Sequence, residues 1–378
     1  MKLEDSAEEA AFRSQVRAWL ADHLAGQLSG MRHRLTDLEQ ARSWSRALFD
    51  AGYAGLTWPK KYGGQGAPAA LEAILLEELA RARAPQHVGV IGLGMAGPTI
   101  IACGTEEQKG RYLPAILKAE EIWCQGFSEP GAGSDLASLR TRAERRGDTF
   151  VVNGQKLWSS YAQVADWCIL LVRSDPQAPR HQGLTYLLLD MHAQGVEVRP
   201  LRQLTGDSDF NEIFLTDVAV PAAQVVGEVG QGWRVAMTTL AHERATFGFA
   251  LTGALEATVR EVLRLARERP AMARELEDAL AKEWIVMQGL KLTTHRQLGE
   301  SARRGGPGPE GSMIKLAWSE ANQRVTKLAQ QLQGDLPLQD AEWHYLQLRS
   351  RANSIEAGTS EVLRNIIAER VLGLPRSR

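Results

Sequence analysis

The spacing of apolar residues divides the chain into a helical part, a strand-rich part and a second helical part. Over residues 6–121 apolar side chains recur every three or four positions, which predicts amphipathic helices. Near Ile122 the period shortens towards two, and from Gly232 the helical period returns. We therefore predict an α+β, mainly α, fold with three segments: an N-terminal helical bundle (1–121), a small β-barrel or sandwich (122–226) and a C-terminal helical bundle (227–378).

Local signals add detail to this pattern. Capping boxes, in which a hydroxyl and a Glu or Gln three residues later satisfy two backbone N–H groups, are predicted at Ser6, Thr36 and Thr105. Asn153-Gly154 predicts a type I′ hairpin turn inside residues 150–158. Four further strands are predicted at Trp167–Val172, Leu184–Asp190, Val196–Arg199 and Glu212–Val220.

Composition and charge exclude several classes of protein. The 378 residues carry 44 Lys and Arg against 45 Asp and Glu, so no overall basic charge marks a nucleic-acid or anionic-membrane partner. The three cysteines are widely spaced, which predicts neither a disulfide framework nor a thiolate metal site. Because no apolar run approaches a membrane span and the N-terminus has no apolar leader, we expect an unprocessed cytoplasmic protein without a metal.

A glycine pattern at Gly92–Gly97 matches the dinucleotide-binding fingerprint G-x-G-x-x-G. That fingerprint requires a strand before it and a helix after it, whereas this copy lies between predicted helices. We interpret it instead as small residues that allow two helices to approach closely.

The segment Ser128–Asp135, with sequence SEPGAGSD, has a different character. Two glycines followed by a hydroxyl and a carboxylate can press backbone N–H groups and Ser134 against a planar or phosphorylated ligand. The alternative to ligand binding is that the segment is only a tight connector between the first helices and the strands.

These eight residues resemble the signature of the acyl-CoA dehydrogenases, a family of flavoproteins. The resemblance extends over essentially the whole chain, through four further motifs in the family's order. They are Gly104–Lys109 with Tyr112–Pro114, Asn153–Trp158, Gly227–Trp233, and Glu356–Glu361 with Asn365–Arg370. The resemblance implies FAD as cofactor and the same order of helices, barrel and helices.

The resemblance also implies roles for individual residues. Those that would contact FAD are Gln125, Phe127, Ser128, Gly133, Ser134, Trp158, Ser160, Arg269, Gln331, Gly334, Thr359 and Glu361, while Ser134, Arg244 and Gly358 would contact the acyl-CoA. The implied reaction is α,β-dehydrogenation: a base removes the α-proton and the β-hydrogen leaves as hydride to the flavin. Exclusion of water raises the pKa of a carboxylic acid and makes its conjugate base strong enough for this task.

Two carboxylates compete for the role of base. Most of the family carries the base directly before Gly-Thr, where this chain has Ala357, and a minority carries it at the place of Glu243. Helical spacing puts Glu243 on the face that Leu240 and Phe247 make apolar. We therefore predict Glu243 as the base, with Glu356 as the alternative.

Two motifs depart from the family. The usual Arg-x-x-Phe-Gly is Arg269–Ala273 in this chain, without Phe and Gly, and the turn Gln331–Asp335 loses its second glycine. These motifs contact the FAD of a neighbouring subunit in the family, so their loss leaves open that the chain is a partner subunit of a heteromeric enzyme. An oxidase-like flavoprotein also stays open, because no motif determines the access of dioxygen.

The resemblance implies further partners. We expect an acyl-CoA substrate, an electron-transfer flavoprotein as electron acceptor, and a homodimer or homotetramer or a pair with a related subunit. The acyl group is not defined by these motifs; Trp233, Phe247 and Phe249 are candidates for its pocket.

Overall fold

The computed structural model describes residues 4–24, 37–304, 308–334 and 341–376; the side chains of residues 244–247, 302 and 341 lie outside the described part. The N-terminal helices are α1 (Ala7–Leu24), α2 (Leu38–Asp50), α3 (Ala69–Arg81), α4 (Gly97–Cys103) and α5 (Glu106–Leu117). The strands are β1 (Trp123–Gly126), β2 (Arg142–Arg146), β3 (Thr149–Ser160), β4 (Trp167–Arg173), β5 (Leu184–Asp190), β6 (Val196–Leu201) and β7 (Phe210–Pro221). The C-terminal helices are α6 (Gly232–Glu268), α7 (Pro270–Glu275), α8 (Glu277–Arg304), α9 (Gly311–Gln333), α10 (Ala341–Ser350) and α11 (Ser360–Ile366).

The predicted order of helices, strands and helices is confirmed, as are the four strands predicted after residue 160. The seven strands form one sheet in the order β1-β4-β2-β3-β7-β6, with β5 beside β4, curled into a half-barrel. Two capping boxes form, at Ser6 and at Thr105. Thr36 lies outside the described residues, and Asp37 caps α2. The segment boundaries at 121 and 226 stay predictions.

The hairpin predicted at Asn153-Gly154 is wrong. Strand β3 runs through both residues and pairs with β2 on one side and with β7 on the other. The β3–β7 register shifts between Val152 and Gly154, so Gly154 belongs to a bulge rather than a turn. A side chain there would collide with Thr141, whose Oγ1 lies 2.5 Å from the position of an added Cβ. Pairing along the whole strand has overridden the local turn preference.

Close packing explains the glycines of Gly92–Gly97. The segment Gly92–Ala96 forms a π-helical turn that leads into α4. An added Cβ would lie 3.0 Å from Ile116 at Gly92 and 2.1 Å from Trp58 at Gly97. The interpretation that these glycines allow close approach is confirmed.

Tertiary contacts group the chain into two compact units. One, which we call the sheet unit, comprises Met31–Ala67 and Pro85–Glu243; the other, the helical unit, comprises Met1–Gly30, Pro68–Ala84 and Arg244–Arg378. In the sheet unit β4 is buried on both faces: Ile169 and Leu171 face α4 and α5, whereas Leu170 and Val172 face β3 and β7. The core of the helical unit is formed by α6, α8 and α9.

Candidate functional site

The loop Ser128–Asp135 directly follows the first strand of the sheet unit. Its turn is closed by two backbone hydrogen bonds between Glu129 and Ala132, each with an N···O distance of 3.0 Å. An added Cβ at Gly131 or Gly133 would meet no atom within 4 Å. The glycines therefore leave open space along the outer side of the loop, where backbone groups are accessible to a ligand.

A buried ion pair fastens this loop to the sheet. The Nζ atom of Lys156 donates to Glu129 Oε1 at 2.9 Å and to the carbonyl of Phe127 at 3.1 Å. Both oxygens of Glu129 also accept backbone N–H groups, from Arg140 and Thr141. Burial by itself would raise the pKa of Glu129, but Lys156 and these N–H donors hold it below its ordinary value. Lys156 and Glu129, for which the sequence motifs predicted no role, thus hold the loop in place on the sheet.

Strand β3 brings Trp158 beside this loop. The N–H of Leu157 donates to the carbonyl of Ser128 at 2.9 Å. The β3–β7 register shifts between Lys156 and Ser159, and Trp158 has a φ of 62°, which is uncommon for a bulky residue. The indole is 58% exposed and meets Phe210 edge-on. An exposed ring held at a strained position suggests a surface for a ligand.

The other flavin candidates of the sheet unit lie in β1, in β3 and in the loop that follows β1. Gln125 is in β1, opposite Ile169 of β4, and Ser160 ends β3. The ring of Phe127 is buried against Tyr186, so any contact with a ligand has to come from its backbone. Ser134 is exposed, and the neighbouring Asp135 pairs with Arg180. An exposed indole beside open backbone fits the flat, polar-edged ring of a flavin.

Helix α6 carries Glu243, which is 9% exposed. One turn earlier, Thr239 contacts the hydroxyls of Thr99 at 2.9 Å and Tyr186 at 3.1 Å, and all three residues are fully buried. This hydroxyl cluster joins α6 to α4 and β5 and fixes the rotation of α6 within the sheet unit. Since residues four apart lie on the same face of a helix, Glu243 follows Thr239 on that face.

Glu356 has a different environment, in the helical unit. Both of its oxygens accept hydrogen bonds from Arg349, at 3.1 and 2.9 Å, and Oε1 also accepts one from Asn353 at 2.8 Å. A bidentate arginine pair of this kind is a strong structural contact. The Glu356 carboxylate therefore stabilises the turn in which it lies.

A buried lysine, Lys315, supports the same turn. Its Nζ donates to the carbonyls of Asn353 at 2.6 Å and Gly358 at 2.8 Å. Between these anchors the backbone takes positive φ values at Ala357 (50°) and Gly358 (94°). Thr359 then caps α11 by accepting from the N–H of Val362, and Glu361 lies exposed in the first turn. The pKa of Glu361 is lowered by its own backbone N–H and by Thr359.

The two departing motifs meet each other in the helical unit. Arg269 Nη1 donates to the carbonyl of Gln333 at 3.2 Å. The sulfur of Met272 lies 3.1 Å from the position of an added Cβ at Gly334, whose φ is 62°. Met272, at the place of the family's Phe, thus supplies an apolar contact to the turn. Gln331 is exposed at the end of α9.

Four further sequence-based candidates stay predictions. The side chains of Arg244 and Phe247 lie outside the described part of the structure. Trp233 packs edge-on against His181 in the sheet unit, and Phe249 against His295 in the helical unit. Within the described ranges no helix is long and apolar enough to cross a membrane, and no group of three His, Cys, Asp or Glu side chains could hold a metal ion.

Comparison with known proteins identifies the family. The N-terminal, middle and C-terminal domains of acyl-CoA dehydrogenases match residues 6–120, 124–218 and 230–372. The chain belongs to the acyl-CoA dehydrogenase family, and the predicted enzyme class and FAD cofactor are confirmed.

Individual relatives cover nearly the full length. Acyl-CoA dehydrogenase IpdE1 of Mycobacterium tuberculosis is 42% identical, over 97% of this chain and 97% of its own. A solved structure titled "Tcur3481-Tcur3483 steroid ACAD" is 30% identical with a TM-score of 0.89, covering 100% of both chains. The ChsE4-ChsE5 complex from Mycobacterium tuberculosis is 31% identical with a TM-score of 0.87, again covering 100% of both chains.

Proposed function

We propose that this chain catalyses α,β-dehydrogenation of an acyl-CoA thioester, with Glu243 as the base. The observation that carries the assignment of the base is the pairing of Glu356 with Arg349 and Asn353. To remove a proton, Glu356 would have to break these contacts. Glu243 is buried on α6, next to the hydroxyl cluster that fixes the helix.

Different residues of this chain have different roles in the proposed reaction. Glu243 takes the α-proton, while Ser134, Arg244 and Gly358 bind the acyl-CoA. The loop at Ser128–Asp135 and Trp158 hold FAD, which supplies the two-electron acceptor for the β-hydrogen. The Lys156–Glu129 pair and Lys315 take no part in the reaction. The pair holds the loop Ser128–Asp135, and Lys315 holds the turn between Asn353 and Gly358.

The proposed substrate is a steroid-derived or similarly ring-bearing acyl-CoA. Support comes from the solved relative titled a steroid acyl-CoA dehydrogenase, whose chain superposes over the whole length of this one. Since residues behind the flavin set the shape of an acyl pocket, ring-bearing and straight-chain thioesters should be separable by rate.

We also propose that the working enzyme pairs this chain with a second acyl-CoA dehydrogenase chain. Phe and Gly of the family's inter-subunit motif are replaced by Met272 and Ala273, and the turn after α9 loses its second glycine. Two similar structures are titled as pairs of differently named chains. A homodimer or homotetramer is the competing arrangement.

Purification of the chain alone and with a candidate partner tests these proposals together. We expect FAD to be retained at higher occupancy in the pair, and anaerobic bleaching of the flavin by ring-bearing acyl-CoA to outpace bleaching by straight-chain acyl-CoA. Reoxidation by an electron-transfer flavoprotein rather than by dioxygen would support a dehydrogenase; rapid reoxidation by dioxygen would support the oxidase alternative. A flavin-loaded protein that no acyl-CoA bleaches would contradict the proposed reaction.

A further inference from the structure

The helical unit contains a cavity of about 630 Å³ between α1, α3, α6 and α8. It is lined by eight Arg or Lys side chains and four Glu side chains. Apart from Phe249, a candidate for the acyl pocket, none of the lining residues belongs to the predicted flavin or acyl-CoA contacts. The volume is within the range of small-molecule sites, roughly 300–1,000 Å³.

Carboxylates at the base of the cavity are shared among several cations. Glu78, only 2% exposed, accepts hydrogen bonds from Arg13, Arg17 and Arg81 at 2.8–3.0 Å. Glu256 likewise holds both Arg260 and Lys291. One carboxylate for two or three cations leaves a positive excess in the lining.

The excess can be counted. Two more carboxylates outside the lining pair with lining arginines, Asp5 with Arg13 and Glu268 with Arg264. Eight cations against six carboxylates leave two positive charges. Within the described ranges no carboxylate lies within ion-pair distance of Arg267, which is exposed.

Exposed guanidinium groups form the rim of the cavity. The side chains of Arg17, Arg81 and Arg260 are 47–60% exposed, and each has N–H groups beyond those bound to carboxylate. Planar guanidinium groups match the geometry of phosphate oxygens and bind them in pairs. One wall is aromatic: Phe249 packs edge-on against His295, which is held by Glu77 at 2.8 Å.

We infer that this cavity binds an organic phosphate: a phosphate monoester attached to a flat ring system, as in a nucleoside monophosphate. The dianionic phosphate would match the excess of two positive charges in the lining. The ring would lie against Phe249. This site is separate from the proposed dehydrogenation residues and adds a second ligand to the protein.

Calorimetric titration of the flavin-loaded protein at low ionic strength tests the inference. We expect 5′-AMP to bind, inorganic phosphate to bind more weakly, and adenosine not to bind. Adenosine binding as tightly as AMP would overturn the role of the phosphate, and phosphate binding as tightly as AMP would overturn the role of the aromatic wall. Absence of AMP binding would overturn the site itself.

Substitutions locate the binding. Arg81→Gln with Arg267→Gln removes two rim charges and should weaken AMP binding roughly tenfold or more, whereas Glu261→Gln removes a carboxylate and should tighten it about fivefold. The matched control, Arg146→Gln with Arg199→Gln, removes two exposed arginines of the sheet unit and should leave affinity unchanged. An affinity unchanged in the rim variant, or lowered by Glu261→Gln, would overturn the inference; thermal unfolding and flavin content verify that each variant is folded.

Discussion

Two turns of this protein are each held by a buried lysine, one in the sheet unit and one in the helical unit. Lys156 binds the carbonyl of Phe127 and the carboxylate of Glu129, so its charge is paired within the loop it holds. Lys315 binds two carbonyls, those of Asn353 and Gly358, and the carboxylate of that turn is held instead by Arg349.

The comparison shows how carboxylates in the signature turns are held by several hydrogen-bond donors. Glu129 and Glu356 both lie in signature turns, and each accepts at least three hydrogen bonds from its neighbours. Such carboxylates stabilise structure, and proton abstraction would cost these contacts. Proximity in sequence to a signature is therefore weak evidence for a base, and a carboxylate that already accepts several hydrogen bonds is a poor candidate for one.

Of the two lysines, removal of Lys156 should have the larger effect on stability. Lys156→Met leaves Glu129 buried without its cation, and breaking a buried ion pair in this way costs about 3–5 kcal/mol. We expect a clear fall in the midpoint of urea unfolding together with loss of FAD. A variant that removes both charges, Lys156→Met with Glu129→Gln, should recover part of the stability; if the double variant is as unstable as the single one, the unpaired charge is not the cause.

Lys315→Met should cost less, about 1–3 kcal/mol, because it removes two hydrogen bonds to carbonyls and one of these, the carbonyl of Asn353, keeps a donor in the hydroxyl of Ser319. The expected result is a smaller shift of the unfolding midpoint than for Lys156→Met. Lys315→Arg, which keeps a donor, serves as the control. An effect of Lys315→Met larger than that of Lys156→Met would contradict the comparison.

The smallest effect is the pH dependence of stability in the sheet unit. Because the folded-state pKa of Glu129 lies below its unfolded value of about 4.3, its contribution is present above that value and is lost as the pH falls through the folded pKa. The stability difference between wild type and Glu129→Gln should be largest near neutral pH and shrink in acid. Urea unfolding at several pH values measures it; a difference that grows in acid would have the wrong sign.

Sequence patterns predicted the fold better than they predicted the buried residues that hold the signature turns in place. Strands such as Leu184–Asp190, which is mostly apolar, formed as predicted, whereas Asn153-Gly154 carries a strong turn signal that pairing with β7 overrides. Lys156 and Lys315 gave no signal of their function, since their partners lie 27 to 43 residues away in the chain. The arginine-lined cavity is also invisible in sequence because four separate helices build it.

The assignment of the base is tested most directly by the rate of anaerobic flavin bleaching in two matched variants. Glu243→Gln should lower this rate by a factor of about 10²–10⁴, the usual contribution of a general base, with FAD content unchanged. Glu356→Gln keeps an amide oxygen for Arg349 and Asn353 and should alter the rate by less than about tenfold. Bleaching at the wild-type rate in Glu243→Gln, with a collapse in Glu356→Gln, would contradict the account.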